Sequence, residues 1–460
     1  MTICVAPWRR PGKLRRTGPA GLATLALVAG IGFGSAVSAQ SQVTLSEAAR
    51  LMQTSELDLQ MIELEQQVAQ EVVMQAKGER RPRVRLSLSY VQTQQEIVNQ
   101  DNTTFQEGSS TYPTMNVALA ITQPIYDAVR FKALPLARAE EELVRAQAVA
   151  AQNELSRNFV AAFLRVASAQ LQVDESEAIL RARTQLERDI GLLVDGGRAD
   201  ADRQYRAHGD VFAARADRAE AEMGMSEALF GLHRFTGPEV EGVRFNANAG
   251  VAQFRSFQDT FSPDRLAQMN PDVQVAQASL VVAQRQLDRV RAAFRPTANL
   301  TLESEYEKTE GSLFGGGSTV TSTELGLELG WSVYEGGVRR SQKRESETRV
   351  KMAELRLQQA QQLAERRYQS LTSALQRALE AVQATANDRR VAAERYNAAL
   401  EQVDAGRQTS EVLLESRLRR DTMTLRSQLA RLRAIQLQAE LYALFGALDL
   451  DTLSQDFAGA

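Results

Sequence analysis

Met115-Asn116-Val117-Ala118-Leu119-Ala120-Ile121-Thr122 alternates large apolar residues with small or polar ones, runs into Gln123-Pro124-Ile125-Tyr126-Asp127, and then gives way to helix formers. Period-two alternation puts Met115, Val117, Leu119 and Ile121 on one face of a strand and Asn116, Ala118, Ala120 and Thr122 on the other. The pattern returns in the second half of the chain: Leu325, Leu327, Leu329 and Trp331 alternate with Glu324, Gly326, Glu328 and Gly330, before Ser332-Val333-Tyr334-Glu335. Each of these strands has a forerunner. Val84, Leu86, Leu88 and Tyr90 alternate with Arg83, Arg85, Ser87 and Ser89 after Arg81-Pro82, and Arg295-Pro296 opens the corresponding segment. Further on, Val194-Asp195-Gly196-Gly197-Arg198 is answered by Val403-Asp404-Ala405-Gly406-Arg407, and Ala228-Leu229-Phe230-Gly231 by Ala443-Leu444-Phe445-Gly446. Repetition on this scale is an architectural statement, not a catalytic one.

Proline placement says where long helices are allowed. None occurs between Pro135 and Pro238 or after Pro296, and proline breaks helices by removing an N–H and crowding the preceding turn. Ala, Leu, Gln, Arg and Glu, the strong helix formers, fill these gaps. A helix from Phe131 to Ile190 would be ~90 Å long at about 1.5 Å per residue, and one from Arg340 to Val403 is similar. Tyr368, Leu371, Leu375, Ala378 and Val382 step by coiled-coil intervals. Helices alone would fit a filament or a bundle.

The strands point elsewhere. An apolar face opposite a polar or tiny one fits a barrel wall with lipid outside and water inside, built of strands near the ~9 to 11 residues of a tilted crossing. Links over residues 99–111 and 309–319 are polar or glycine-rich, as exposed loops are. Tyr90, Tyr112, Tyr126, Tyr306, Trp331 and Tyr334 are expected towards strand ends, forming interfacial girdles. Glu324 and Glu328 are expected to face the barrel lumen and solvate it. Four strands leave two open edges and cannot close a barrel that holds a channel, so several copies must each contribute four staves.

Arg9, Arg10, Lys13, Arg15 and Arg16 precede an apolar run from Ala20 to Phe33 and the small-x-small triplet Val37-Ser38-Ala39, which reads as a signal peptide over 1–39. The one cysteine, Cys4, lies within it. The mature chain therefore has no disulfide, thiol nucleophile, cysteine metal site or lipid-anchor cysteine. With 54 basic and 57 acidic residues the net charge is -3, which offers nothing to nucleic acid. The two histidines, His208 and His233, lie far apart in helical patterns and read as ordinary helix residues. No phosphate loop and no His, Cys or Ser constellation appears, so no enzyme activity, cofactor or metal is expected.

Across essentially all of its mature length the chain resembles the TolC-like outer membrane factors, the outer membrane efflux proteins. The marks are the regions of Asp58 and Asp272 before each Arg-Pro, the tyrosine turns Gln123-Pro124-Ile125-Tyr126-Asp127 and Val333-Tyr334-Glu335-Gly336-Gly337, and the turns at Gly197 and Gly406, all in order and twice. The resemblance implies a homotrimer whose twelve-stranded outer membrane barrel continues as an antiparallel coiled-coil tunnel of twelve helices in the periplasm. It also implies partners: a periplasmic adaptor (membrane fusion) protein, an inner-membrane pump of the RND, ABC or MFS type, and outer membrane lipid. The chain would be the passive exit duct of a tripartite efflux pump or of a type I secretion system. A coiled-coil structural protein of the envelope, without transport activity, is the alternative.

By the same resemblance the helix ends near Gly197 and Gly406 form the periplasmic tip that meets the adaptor and closes the channel. The family's gate tyrosine falls on Val403 and its gate arginine on Gln408, with Arg407 beside it. The acids that follow the second glycine reduce to Glu415, since Val412 replaces the first, and after Gly197 the aspartate position holds Arg203. What carries over is charge of both signs, from Asp195, Arg198, Asp200, Asp202, Arg203, Asp404, Arg407 and Glu415. Such a cluster would hold the tip closed through contacts that adaptor binding could offset. The expected division is a first repeat over 40–236, an equatorial linker over 237–262 packing around the middle of the tunnel, a second repeat over 263–448, and a tail over 449–460.

Overall fold

The structure, a computed structural model, describes residues 42–55, 57–96, 109–246, 262–312, 316–448 and 450. The expected signal peptide lies outside these residues, as do most of the 99–111 link, part of the 309–319 link, most of the 237–262 linker and nearly all of the tail. The described chain begins with β1 (Gln42–Val43), α1 (Leu45–Ser55), α2 (Leu57–Gly78), β2 (Arg83–Glu96), β3 (Ser109–Asp127), α3 (Ala128–Asp195), α4 (Ala201–Thr236) and β4 (Gly242–Val243). It continues with α5 (Pro263–Met269), α6 (Pro271–Ala292), β5 (Thr297–Thr309), β6 (Ser318–Gly330), α7 (Val338–Asp404) and α8 (Ser410–Leu444).

Whole units are duplicated: three pairs of corresponding helices agree in length to within one residue, while α1 and α5, with 11 and 7, do not. α2 and α6 have 22 residues each, α3 and α7 have 68 and 67, and α4 and α8 have 36 and 35. The strands depart from this symmetry: β3 has 19 residues and β6 has 13. In the first repeat Gln123–Asp127 stays in the sheet across a bulge between Pro124 and Tyr126, and Asp127 then caps α3 by accepting from the Val129 and Arg130 amides. In the second, residues 331–337 leave the sheet and turn at Gly336 and Gly337, with φ of 58° and 87°, conformations that only glycine adopts cheaply.

The four long strands form one antiparallel sheet in the order β2-β3-β5-β6. Register puts Leu86 opposite Leu119 and Leu302 opposite both Ile121 and Leu325, so the alternating residues share one apolar face. That face is uncovered in the protomer: Leu86, Leu325 and Leu329 are each more than 70% exposed. Tyr112, Tyr126, Trp331 and Tyr334 sit at or just beyond strand ends, as expected. Tyr306 lies three residues from the end of β5, as Tyr112 lies three from the start of β3, but Tyr90 is mid-strand because β2 runs on to Glu96 beyond the stretch of clear alternation.

α3 starts at Ala128 and carries Pro135 inside it, as the helix read from Phe131 requires. Pro135 has no N–H to give the Phe131 carbonyl one turn back. Arg80 supplies the missing donor: its Nη2 lies 2.6 Å from that oxygen and its guanidinium lies 5.3 Å from the Phe131 ring centre.

At mid-length the helices are held by two hydrophobic cores. One gathers β1, α1, α3, α4, β4 and α8 around Phe159, Phe163, Val243 and Leu432; the other gathers α5, α6, α7 and α8 around Leu371, Leu375, Leu441 and Phe445. The spacing read from Tyr368 to Val382 lies in the second. An edge-to-face aromatic pair centres each core, Phe159 with Phe235 at 5.9 Å and Tyr368 with Phe445 at 5.8 Å. Gly446, at φ 63°, ends α8 as the repeated Ala-Leu-Phe-Gly suggests, but Gly231 stays inside α4. Leu232 and Phe235 carry α4 into the first core, and Gly237 at φ 82° ends it instead.

Of the linker, the described part joins this waist: Val240 and Val243 are buried in the first core, and β4 pairs in parallel with β1. The His233 ring Nε2 donates to the Val240 carbonyl at 2.7 Å, fixing the chain as it leaves α4. Thr44 and Glu47 cap α1 reciprocally, the Thr44 amide donating to the Glu47 carboxylate at 2.8 Å. Buried Asn270 caps α6 and donates to the Leu444 carbonyl at 2.7 Å, tying α6 to the end of α8. Phe159→Ala is expected to cost about 3–5 kcal/mol, the range for deleting a buried aromatic ring. A heat-denaturation series in detergent checks this, with exposed Phe230→Ala as a control that leaves the midpoint in place.

Candidate functional site

The helix reversals expected at Gly197 and Gly406 are both present and have the same geometry. φ is 66° at Gly197 and 70° at Gly406. The Gly197 amide donates to Val194 O at 2.9 Å and the Arg198 amide to Leu193 O at 2.7 Å; Gly406 and Arg407 do the same to Val403 O and Gln402 O, at 2.9 and 2.8 Å. This is the Schellman arrangement, which satisfies the last carbonyls and requires a left-handed residue at the position each glycine occupies.

Around these turns the expected charged residues divide. Asp195 and Asp404 are the last residues of α3 and α7, and Gln408 is exposed in its turn. Asp200 caps α4 by accepting from the Arg203 amide at 2.9 Å, and Asp202 pairs one turn along with Arg206 at 2.9 Å. Arg198 and Arg407 contribute through their backbone amides. Glu415 lines a cleft with Arg183, Arg203, Asp210 and Glu411, between the α3–α4 and α7–α8 hairpins.

The contact that joins the hairpins is one that sequence reading missed. Arg203 in the first turn of α4 reaches Glu411 in the first turn of α8, with Nε to Oε1 at 2.7 Å and Nη2 to Oε2 at 2.5 Å. A two-pronged guanidinium–carboxylate pair fixes orientation as well as distance. The Glu411 hydrogen bond comes first among the influences that hold the Arg203 pKa above its ordinary value. One signal was present: Asp202 and Glu411 stand five residues after their glycines, so the repeat places an acid in both first turns. Within the first hairpin Arg183 bonds to Asp210 at 2.5 Å, and the His208 ring bonds to Glu187.

Higher on the same helices a carboxylate sits where it is poorly solvated. Half-buried Glu175 on α3 faces Asp421, Thr422 and Arg426 of α8; burial raises its pKa, Asp421 adds to this, and the Thr422 bond and Arg426 oppose it.

The sheet supplies a second polar locus. Glu324 and Glu328 lie on the polar face of β6, opposite Glu303 and Asn299 of β5. Glu305 and Glu307 continue the acidic row on β5, with Asn116 donating to Glu305. Among the described residues no cluster of His, Cys, Asp and Glu could hold a metal, and no helix is long and apolar enough to cross a membrane.

Residues 262–447 match the family described as outer membrane efflux protein. Protein CyaE of Bordetella pertussis is 25% identical over 272 residues, 53% of this chain and 52% of that one, so the match spans about half the length of this curated relative. Among solved structures, the Campylobacter jejuni CmeC outer membrane channel superposes with a TM-score of 0.76, at 14% identity over 90% of this chain and 89% of that one. The open state of the Neisseria gonorrhoeae MtrE outer membrane channel gives 0.70, at 17% identity over 89% and 90%.

Arg203 and Glu411 are each about one-third exposed, so a double-alanine cycle is expected to give a coupling of about 1 kcal/mol or less. Glu175 takes up its proton more readily when folded, so it favours the folded state most at low pH. That contribution is lost as pH rises from the ordinary carboxyl value of 4.5 to the raised one. Glu175→Gln is therefore expected to raise the melting temperature at neutral pH and to flatten its decline across that window.

Proposed function

We propose that this chain, which matches the outer membrane efflux protein family over residues 262–447 and has the fold of the outer membrane channels, is one third of a homotrimeric exit duct. The observation that carries this reading is the sheet: four long antiparallel strands with an exposed apolar face, an acidic opposite face and two unpaired edges. Such a sheet has no stable existence in water alone. In hydrocarbon it needs its edges joined to further strands, and three copies make a closed wall of twelve.

The leader over 1–39 exports the chain. The barrel sits in the outer membrane with Glu324 and Glu328 towards its lumen, and the helices extend into the periplasm. There the ends at Gly197 and Gly406 meet an adaptor protein, which connects the duct to an inner-membrane pump of the RND, ABC or MFS type. The duct is passive and carries out no reaction; the pump chooses the cargo, small molecule or secreted protein.

At the tip, Arg203 with Glu411 closes the space between the hairpins, and the surrounding charges of both signs form the gate. Each contact is weak and partly exposed, so separating them costs only a few kcal/mol in all, an amount that binding of a partner can offset. A coiled-coil scaffold of the envelope would leave the apolar face of the sheet without a role.

Single-channel recording of the purified mature protein in planar bilayers tests the proposal. A small cation-selective conductance that rises several-fold in Arg203→Ala or Glu411→Ala is expected. A folded, membrane-inserted trimer with no conductance in either variant overturns it.

A further inference from the structure

The two open edges of the sheet carry opposite charge on the same face. β2, one edge, presents Arg83 and Arg85; β6, the other, presents Glu324 and Glu328. Following the register across the sheet, Arg85 lies opposite Ala120, Ala120 opposite Glu303, and Glu303 opposite Glu324, so arginine and glutamate stand at the two ends of one row. Arg83 shares the neighbouring row of this face with Thr122, Thr301 and Gly326, and Glu328 lies opposite Asn299 one row further on. All four side chains are exposed. Three strand spacings, about 14 Å, separate the ends of the row, so these arginines and glutamates cannot meet within one protomer.

Glu324 also has an unfavourable neighbour. It faces Glu303 directly across the β5–β6 ladder, and like charges in that position repel. A basic group on the far, open side of β6 would offset this.

We propose that Arg83 and Arg85 of one copy pair with Glu324 and Glu328 of the next, and that this pairing joins successive copies edge to edge with their polar faces on the same side. The inference rests on the reading of the chain as a multi-copy barrel and adds the residues that decide how the wall closes. A second copy is the occupant the edges fit. β2 and β6 run in opposite directions, so a neighbouring β6 meets β2 antiparallel; with Glu328 opposite Arg83, eleven residues pair, Glu324 lies diagonal to Arg85, and the alternation already in the sheet continues. The edges complement each other and not themselves, which gives a head-to-tail ring rather than a two-fold dimer. A slip of one residue would turn the arginines to the lipid face, where their charge is costly. A slip of two keeps the face but moves the pairing to diagonal neighbours, still within reach of arginine.

Exchange of charge tests this in the full mature chain, purified in detergent and scored for heat-modifiable oligomer by gel and by native mass spectrometry. R83E/R85E and E324R/E328R each set like charges together at every junction. Each is expected to lower the assembled fraction by about tenfold, a few tenths to one kcal/mol per reversed pair summed around the ring. The fourfold variant R83E/R85E/E324R/E328R restores opposite charges and is expected to assemble as the natural chain does. If the half-exchanged variants assemble normally, or if the fourfold variant is as defective as they are, the pairing is overturned. If the natural chain itself does not assemble, the multi-copy duct falls with it, which separates the two failures.

Discussion

A backbone N–H or C=O that faces hydrocarbon without a partner costs several kcal/mol, because no water is there to take the bond. The described chain devotes four strands to an apolar-faced sheet and leaves the outward groups of β2 and β6 unpaired. Everything else in the fold is compatible with this requirement. α2 and α7 flank the helical layer on the same sides as β2 and β6 flank the sheet, since α3 packs on α2 and α6, and α6 on α7. The edges left open by the strands are thus continued by helices with exposed apolar residues, Leu57, Met61, Leu64 and Val68 on α2 and Met352, Leu355 and Leu363 on α7.

Stability is unevenly distributed along the long helices. Their middles are fixed by two cores with a shared design, an aromatic pair closed by the end of the returning helix. Small residues such as Ala353, Ala392 and Ala399 are buried elsewhere and let the backbones approach closely. Towards the reversals the contacts become charged and half-exposed, worth little singly. The free energy that resists separation therefore lies at the waist, and the ends are held by interactions that solvent competes for. This gradient follows from composition: the phenylalanines that bury most completely, Phe159, Phe163 and Phe445, are all in the waist.

Much of this was legible in the sequence, because alternation and proline spacing report directly on backbone period. Leu325 to Trp331 could be read as a strand, and Gly197 and Gly406 as reversals, from residue type alone. Four features were not legible, each for a physical reason. Pro135 is tolerated because Arg80, remote in sequence, replaces the hydrogen bond it removes. Glu411 matters through a partner on another hairpin, which spacing within one helix does not reveal. Tyr90 falls inside its strand because the ladder keeps pairing where side-chain alternation has become polar. β1 and β4, two residues each, are too short to have any period.

The near-equal lengths of the paired helices limit how such a chain can change. Each residue of helix adds about 1.5 Å of height, so an insertion in α3 lifts its turn away from that of α7 unless α7 gains the same number. α4 and α8 must then lengthen too, to return to the waist. A matched insertion or deletion is therefore fourfold, and it comes in units near a whole number of turns, such as about seven or eleven residues, since other numbers rotate the small-residue seam off its neighbour. Helix length is a quantised trait under this arrangement, altered in matched steps.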